Sequence, residues 1–292
     1  MSPLWGRREF LGLLAASAFA GKAVAATPRI AAIDWAMLET SVALGVMPVA
    51  ATELIQFRAG AVEPEIPESV VDLGLRGAPN FELLQLTRPD LILISPFYTR
   101  YTGRLEAIAP VFSLPFYVKG EPPFAKALAA VSALGEKLGR ADEARRVLDE
   151  TEAALQAMRT RLAGFSARPT YVINIGDARH FRAFGADSMF GDVLGRLGLS
   201  NAWVDRSQFT FAAPVPLENL AASQEARIVI VSDIPVEARE SLRNSAIWRA
   251  LPAVRENRVV TVGNVGPYGG ITAGMRFARL LTEALSAQGE AL

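Results

Sequence analysis

The sequence predicts an α/β protein built from two Rossmann-like lobes with central, mainly parallel sheets, joined by one long interdomain helix. Three observations predict this fold. Short apolar runs alternate with helical stretches in both halves of the chain, which is typical of parallel α/β layers. Each half contains the same local order of short helix, polar turn and buried strand, and one long stretch between them lacks glycine and proline. The length of 292 residues also suits two domains better than one.

The chain begins with a stretch that is typical of an export signal, so residues 1–26 are excluded from the predicted fold. Arg7 and Arg8 precede the apolar run Leu11–Ala20, and small residues follow that suit a signal peptidase. The arginine pair resembles a twin-arginine signal, which directs folded proteins across the inner membrane. The apolar run is shorter than the roughly 20 residues that a membrane span needs. We therefore expect cleavage near Ala25 and a periplasmic location.

The predicted N-terminal lobe covers residues 27–140. Its strands are expected at 29–33, 48–51, 70–73 and 91–95, and its helices at 36–44 and 81–86. Asn80 precedes the second helix and suits an N-cap, because its side chain can accept a hydrogen bond from the first turn. The run at 91–95 is apolar throughout, so we expect this strand to be buried on both faces of the sheet.

Residues 141–164 are predicted to form the connecting helix. From 141 to 162 the chain contains neither glycine nor proline, and apolar residues recur at intervals of three and four, which produces one apolar stripe. At 1.5 Å per residue such a helix extends about 30 Å, enough to cross between two domains. Because one helix resists bending more than several loose strands do, we expect the lobes to move only a few degrees around a ligand.

The predicted C-terminal lobe covers residues 165–292. Its strands are expected at 170–175, 227–231 and 258–262, and its helices at 189–197 and 271–287. The segment Leu217–Leu220 and the strand after it parallel Phe81–Leu84 and the strand that follows there. Each pair is a short helix with a glutamate near its start, then a polar turn and a buried strand. This parallel favours two lobes of similar structure.

Charge and rare residues exclude several classes of function. The 30 basic residues balance the 30 acidic ones, so the chain lacks the positive field that attracts nucleic acid. It contains no cysteine, which excludes disulfides, thiolate metal sites, a cysteine nucleophile and a lipoprotein anchor. With a single histidine, His180, it cannot build a metal site from several imidazoles.

Motifs of covalent and phosphate chemistry are also missing. Sequences typical of serine nucleophiles, zinc proteases and phosphate-binding loops do not occur, and no carboxylate pair has a spacing that suggests acid–base catalysis. Gly266, Gly269 and Gly270 are better explained as a tight turn than as an anion cradle. His180 is assigned a structural role. The sequence therefore predicts a binding protein and not an enzyme, with no metal held by the protein itself.

Several segments carry a resemblance to a known family. They include Arg29–Trp35, Leu44–Pro48 and, most specifically, Val70–Leu84, and matching segments continue in order as far as Tyr268. Together they resemble the periplasmic iron(III)-hydroxamate (ferrichrome-type) binding proteins of ABC importers, over nearly the whole mature chain. The resemblance implies a class III periplasmic binding protein fold, a ferric siderophore as transported ligand and an inner-membrane ABC permease as partner. It implies no permanently bound cofactor, and we expect a monomer.

The resemblance implies ligand donors at Arg76 and Tyr98. Members of the family use an arginine and a tyrosine at these positions to donate hydrogen bonds to the hydroxamate oxygens around iron. Each residue follows a predicted strand, and ligands of open α/β sheets bind beyond the carboxyl ends of strands. A saturated ferric complex has no vacancy for a protein ligand, so donors must recognise the lone pairs of its oxygens. The alternative is that Arg76 only solvates a loop and Tyr98 lies at a rim.

The match is incomplete along the pocket walls. Small residues occupy the positions of the family's wall tryptophans, namely Gly60, Thr210, Gly266 and Pro267. Tyr268 keeps an aromatic ring beside them, and Trp35 either contributes to the wall or belongs to the core. We include Trp35, Thr210 and Tyr268 among the expected ligand-binding residues. Because fewer large rings enlarge a pocket, we expect a siderophore whose backbone differs from that of ferrichrome.

Glu82 and Glu218 match two glutamates that members of the wider superfamily carry, one near the top of each lobe. The resemblance implies that they dock on arginines of the membrane permease. An ordinary alternative exists for each residue alone, because a glutamate near a helix N-terminus also complements the helix dipole.

Two other functions stay open from the sequence. One is a receptor for another metal chelate, such as cobalamin or haem, in which Tyr98 or Tyr268 would serve as the axial haem ligand. The other is an exported enzyme acting on siderophores or glycans, which would need a nucleophile or a carboxylate pair.

Overall fold

The computed structural model of the protein describes residues 27–205 and 214–289. The predicted export signal at 1–26 and the expected ligand residue Thr210 lie outside the described residues. Within them, no helix combines the length and the apolar character that crossing a lipid bilayer requires.

The N-terminal sheet is fully parallel, with strand order β3-β2-β1-β4-β5. Its strands are β1 Ile30–Ala32, β2 Ala50–Ala51, β3 Val71–Asp72, β4 Leu91–Ile94 and β5 Val111–Ser113. Its helices are α1 Trp35–Ala43, α2 Leu54–Gly60, α3 Phe81–Thr87, α4 Thr102–Glu106 and α5 Phe124–Lys137, with a 3-10 helix at Pro96–Tyr101. Strand β4 is buried along its whole length, as its continuous apolar sequence predicts.

Two polar side chains fix the starts of helices in this lobe. Asp34 caps α1 by accepting hydrogen bonds from the backbone N–H groups of Ala36 and Met37, at 2.8 and 3.2 Å. Asn80 caps α3 by accepting the N–H of Leu83 at 2.9 Å, as predicted. Both caps follow loops that leave the carboxyl edge of the sheet, so they also fix the course of the chain there.

The C-terminal sheet has strand order β10-β9-β6-β7-β8. Its strands are β6 Thr170–Ile175, β7 His180–Ala183, β8 Val215–Pro216, β9 Arg227–Val231 and β10 Val259–Val262. Strands β6, β9 and β10 are parallel, whereas β7 runs antiparallel to β6 and β8. The helices are α7 Met189–Arg196, α8 Val236–Asn244, α9 Ala246–Ala250, α10 Pro252–Arg255 and α11 Ile271–Gly289, with a 3-10 helix at Leu217–Ala222.

Two helices, α5 and the longer α6 Ala141–Arg161, lie between the two sheets in the chain, and α6 is followed by a 3-10 turn at Ala163–Phe165. Helix α6 packs against α5 and against the C-terminal helix α11. Acidic residues occupy its first turn and arginines its last turn, which is the favourable arrangement for the helix dipole. The fold class predicted from the sequence is confirmed.

The central hydrophobic cluster joins the two sheets. It contains buried residues of both, such as Leu93 on β4 and Val229 on β9, together with residues of the helices between them. Phe190 of α7 and Phe277 of α11 lie in this cluster, with ring centroids 4.8 Å apart. Two smaller clusters cover the outer faces of the sheets. The apolar interior is therefore continuous from one sheet to the other.

Polar contacts reinforce this junction. Glu63, in the loop after α2, forms ion pairs with Arg276 and Arg279 of α11, the latter at 2.8 Å. Asn264, just after β10, donates a hydrogen bond to the carbonyl of Ala59 at 3.2 Å. These contacts connect α2 and the loop that leaves it to α11 and to the segment just after β10.

Candidate functional site

The side chains of Arg76 and Tyr98 meet at the carboxyl edge of the N-terminal sheet. Arg76 lies in the loop after β3, and Tyr98 lies in the 3-10 helix after β4. The Arg76 guanidinium lies close enough to the Tyr98 phenol to lower its pKa. The structure therefore brings together the two residues that the sequence resemblance selected. Both belong to the edge at which ligands of open α/β sheets bind.

Arg76 is held from two sides. Its Nε donates to Glu53 Oε2 at 2.6 Å, and its backbone N–H donates to Glu53 Oε1 at 3.0 Å. The guanidinium carbon also lies 4.0 Å from the centre of the Trp35 ring, which is the geometry of a cation–π contact. Trp35 is fixed in turn by a hydrogen bond from its Nε1 to the carbonyl of Thr52, at 3.0 Å. Trp35 thus serves both the core and the site.

Tyr98 is almost completely buried, with 3% of its surface exposed. Burial raises the pKa of its phenol, the negative charges of Asp34 and Glu53 raise it further, and the nearby positive charge of Arg76 opposes them. The phenol therefore keeps its proton at neutral pH and can act as a donor. The neighbouring Phe97 ring packs edge-on at 5.2 Å and is 74% exposed.

Asp34 follows β1 and interacts by its charge with both Arg76 and Tyr98. Besides capping α1, it accepts a hydrogen bond from Ser95 Oγ at 2.8 Å. Burial raises the pKa of its carboxyl group, while its hydrogen bonds and the charge of Arg76 lower it. Asp34 therefore contributes to the electrostatics of the site from beneath the surface.

Tyr268 lies close enough to charged side chains of both lobes for them to affect its pKa. Burial raises the pKa of its phenol, while the positive charges of Arg182, on β7, and of Arg76 lower it. Its ring packs edge-on against Tyr117 with centroids 5.9 Å apart, and the Tyr117 hydroxyl donates to the carbonyl of Gly269 at 2.5 Å. Arg182 was not predicted from the sequence, because β7 was not predicted as a strand.

Glu39 is a fully buried carboxyl group where α1 meets the start of α11. Its Oε2 accepts the backbone N–H groups of Gly270 and Ala273 at 2.7 and 3.0 Å, whereas its Oε1 has no hydrogen-bond partner among the described residues. Burial raises its pKa to about 8 against these two hydrogen bonds, and the charge of Asp34 adds to the rise. A side chain at Gly269 would collide with this carboxylate, which explains the glycine there.

Three of the four small residues that match the family's tryptophan positions, Gly60, Gly266 and Pro267, lie within the described residues. Gly60 faces open space, since no atom lies within 4 Å of a Cβ built there. Gly266 faces Ala61, the residue just after α2, and a Cβ at position 266 would lie 3.3 Å from the Cβ of Ala61. Any side chain at 266 would therefore begin in tight contact with the Ala61 side chain.

Glu82 and Glu218 are both exposed at the starts of short helices. Glu82, in the first turn of α3, lines a depression of about 450 Å³ together with Tyr101 and Arg104. Glu218 lies in the first turn of the 3-10 helix Leu217–Ala222. Both carboxylates are accessible to a partner.

The described residues contain no cluster of three or more side chains of the types that bind metals. His180 is at the start of β7 and interacts with Asp177 at 3.0 Å in an exposed turn. The arrangement of Arg76, Tyr98 and Tyr268 thus suits recognition of a ligand by hydrogen bonds and ring contacts, which defines a two-lobed ligand-binding protein.

Comparison with known proteins agrees with this class. The family model described as periplasmic binding protein matches residues 30–265. The chain is 31% identical over 289 residues to the iron(3+)-hydroxamate-binding protein FhuD of Escherichia coli K12, covering 97% of both chains. It is 21% identical to the Fe(3+)-citrate-binding protein YfmC of Bacillus subtilis, over 81% of this chain and 73% of that one.

Among solved structures, FhuD of Vibrio cholerae with bound Fe3+–Desferal matches with a TM-score of 0.83 and 26% identity, over 89% of this chain and 98% of that one. The chain belongs to the periplasmic binding protein family. The prediction of a binding protein and not an enzyme is confirmed, because these relatives are binding proteins.

Proposed function

We propose that this protein binds a ferric siderophore of the hydroxamate type in the cleft at Arg76 and Tyr98 and delivers it to an ABC permease of the inner membrane. The observation that carries the proposal is that a guanidinium and a phenol lie close together at the carboxyl edge of the sheet. Hydroxamate oxygens bound to iron keep lone pairs that face outward, and this pair offers donors for them. The iron itself stays coordinated by the siderophore alone.

The donor chemistry and the relatives support the same ligand class. The Arg76 guanidinium offers several N–H donors, and the buried Tyr98 phenol keeps its proton and adds one more. The Escherichia coli relative is named for iron(3+)-hydroxamate binding, and the Vibrio cholerae relative was solved with Fe3+–Desferal. The small side chains at Gly60 and Gly266 favour a siderophore whose backbone differs from that of ferrichrome.

The rest of the proposal concerns location and partners. Residues 1–26 act as a twin-arginine signal that brings the folded chain to the periplasm, where it works as a monomer without a nucleic-acid partner. Residues 27–140 and 165–292 act as the two lobes, with 141–164 as their connecting helix. The accessible carboxylates of Glu82 and Glu218, one in each lobe, dock on arginines of the permease.

Titration with a panel of ferric siderophores tests the proposal. We expect ferric trihydroxamates to quench the intrinsic fluorescence, because Trp35 stacks on Arg76 at the site. Arg76→Ala should weaken binding by about 1.5–3 kcal/mol, or roughly 10–150-fold, which is the range for a hydrogen bond to a charged group.

The matched control is Arg146→Ala, which removes an exposed arginine of α6 and should leave the affinity unchanged. An Arg76→Ala protein that binds ferric trihydroxamates as tightly as the wild type contradicts the assignment of the site. A Soret band on addition of hemin, without siderophore binding, would instead identify a haem receptor.

A further inference from the structure

Glu53 uses both oxygens of its carboxylate on one residue. Oε1 accepts the backbone N–H of Arg76, and Oε2 accepts its side-chain Nε. Since Nε is occupied, the terminal nitrogens of the guanidinium remain as donors toward Tyr98 and toward a ligand. Glu53 therefore fixes which edge of Arg76 faces the cleft.

The backbone around Glu53 is fixed as well. Its own N–H donates to the carbonyl of Gly74 at 2.8 Å, and its φ of 52° is in the left-handed region. Asp72 joins the same two segments, because its carboxylate accepts the N–H groups of Leu54 and Gly74, at 3.1 and 2.9 Å. Glu53 is thus held rigidly against the loop that carries Arg76.

Glu53 also changes the charge that a ligand meets. The side chains of Arg76 and Glu53 are only 23% and 16% exposed, so water screens their attraction less than at a free surface. The carboxylate cancels most of the positive charge of Arg76 while leaving its hydrogen bonds. The negative charge of Glu53 extends to Tyr98, whose pKa it raises.

Ferric siderophores differ in net charge. Three hydroxamate groups balance the charge of ferric iron, so a ferric trihydroxamate core is neutral, whereas ferric carboxylate and catecholate complexes keep negative charge. A carboxylate beside the main donor therefore repels the anionic carboxylate and catecholate complexes more than it repels a neutral ferric trihydroxamate. An unpaired arginine would reverse this preference, because it attracts anions.

We propose that Glu53 is a specificity-determining residue: it orients Arg76 and cancels its charge, so that the cleft favours neutral ferric trihydroxamates over anionic ferric complexes. This inference rests on the proposed function. Arg182, on β7 of the other lobe, also acts on Tyr268 by its charge, so every variant compared keeps Arg182 unchanged.

The test compares dissociation constants of ferrichrome, which is neutral, and ferric dicitrate, which is anionic. Glu53→Gln keeps an acceptor for the Arg76 backbone but removes the charge, so the preference for ferrichrome should fall by about tenfold or more. Glu53→Asp keeps the charge and should keep the preference within about threefold while weakening both ligands. Glu121→Gln, which breaks a remote glutamate–lysine pair at 2.5 Å, is the matched control and should change neither constant.

A double-mutant cycle separates this role from general destabilisation. Because Glu53 orients Arg76, Glu53→Gln should weaken ferrichrome binding less when Arg76→Ala is already present. An unchanged preference in Glu53→Gln, or an equal loss of ferrichrome affinity with and without Arg76, would overturn the inference. If Glu53→Gln does not fold, loss of preference in Glu53→Asp overturns it instead. Failure of the wild type to bind any ferric siderophore would refute the proposed function itself, which is a different result from an unchanged preference in Glu53→Gln.

Discussion

Glu82→Ala combined with Glu218→Ala is expected to abolish siderophore-dependent iron uptake while leaving the affinity for the ferric siderophore unchanged. Both carboxylates are exposed, and neither belongs to the group of residues around Arg76 and Tyr98. Charged pairs at the rim of an interface govern association with the partner, so losing one in each lobe should remove productive docking. Uptake of labelled ferric siderophore by cells that express the variant measures the effect.

The binding assay on the purified double variant is the internal control, since it must reproduce the wild-type dissociation constant. A second control is Glu106→Ala with Glu237→Ala, which removes two exposed glutamates from α4 and α8, one in each lobe. That variant should take up iron normally. Wild-type uptake by the Glu82 and Glu218 double variant would refute docking through these carboxylates.

The thermal stability of the wild type is expected to fall as the pH rises from 6 to 9, and Glu39→Gln should largely remove this fall. Burial raises the pKa of Glu39 from an ordinary 4.5 to about 8 in the folded protein. The folded state therefore holds a proton that the unfolded state has released. The stabilisation is fully present below pH 4.5 and is lost as the pH rises through 8.

The expected size is large for a single side chain. A pKa difference of one unit corresponds to about 1.4 kcal/mol, so Glu39 should account for roughly 2–4 kcal/mol between pH 6 and pH 9 at most. In a chain of this size that is a shift of several °C in the unfolding temperature. Glutamine retains an acceptor for the N–H groups of Gly270 and Ala273 without the charge. Calorimetry at both pH values measures the difference.

Two further variants locate the effect. Glu39→Ala should destabilise the protein at every pH, because the N–H groups of Gly270 and Ala273 lose their acceptor. Glu82→Gln, which changes an exposed glutamate, should keep the wild-type pH dependence. If Glu39→Gln keeps the full pH dependence of the wild type, a different group is responsible for it.

Elements with strong local signals were predictable from the sequence. The buried strands β4, β6 and β9 and the helix α6 coincide with the predicted segments to within a few residues, since continuous apolar runs and a long stretch free of glycine and proline are local properties. The cap at Asn80 is also local. The helix α2 and the strands β5, β7 and β8 were not predicted, because their sequences are short or mixed and their state depends on packing. The helix α5 was also not predicted, although its apolar residues recur at intervals of three and four.

The site was only partly predictable for the same reason. Arg76 and Tyr98 were found through the family resemblance, which compares residues position by position. Glu53 and Glu39 carry no local signal, because their roles depend on Arg76, 23 positions along the chain, and on Gly270, 231 positions along it. From the sequence alone, a glutamate in a helix or turn is expected to be exposed to solvent, because its tertiary partner is not known. Tertiary contacts decide these roles.

The continuous hydrophobic cluster between the sheets limits how far the two sheets can move apart or together when a ligand binds. Swinging the sheets apart would expose rings such as Phe190 and Phe277, at about 25 cal/mol for each Å² of apolar surface. Loaded and unloaded forms should therefore have almost the same outline, with nearly equal radii of gyration in X-ray scattering. A permease that recognises only this outline binds both forms, so an excess of unloaded protein should inhibit transport competitively.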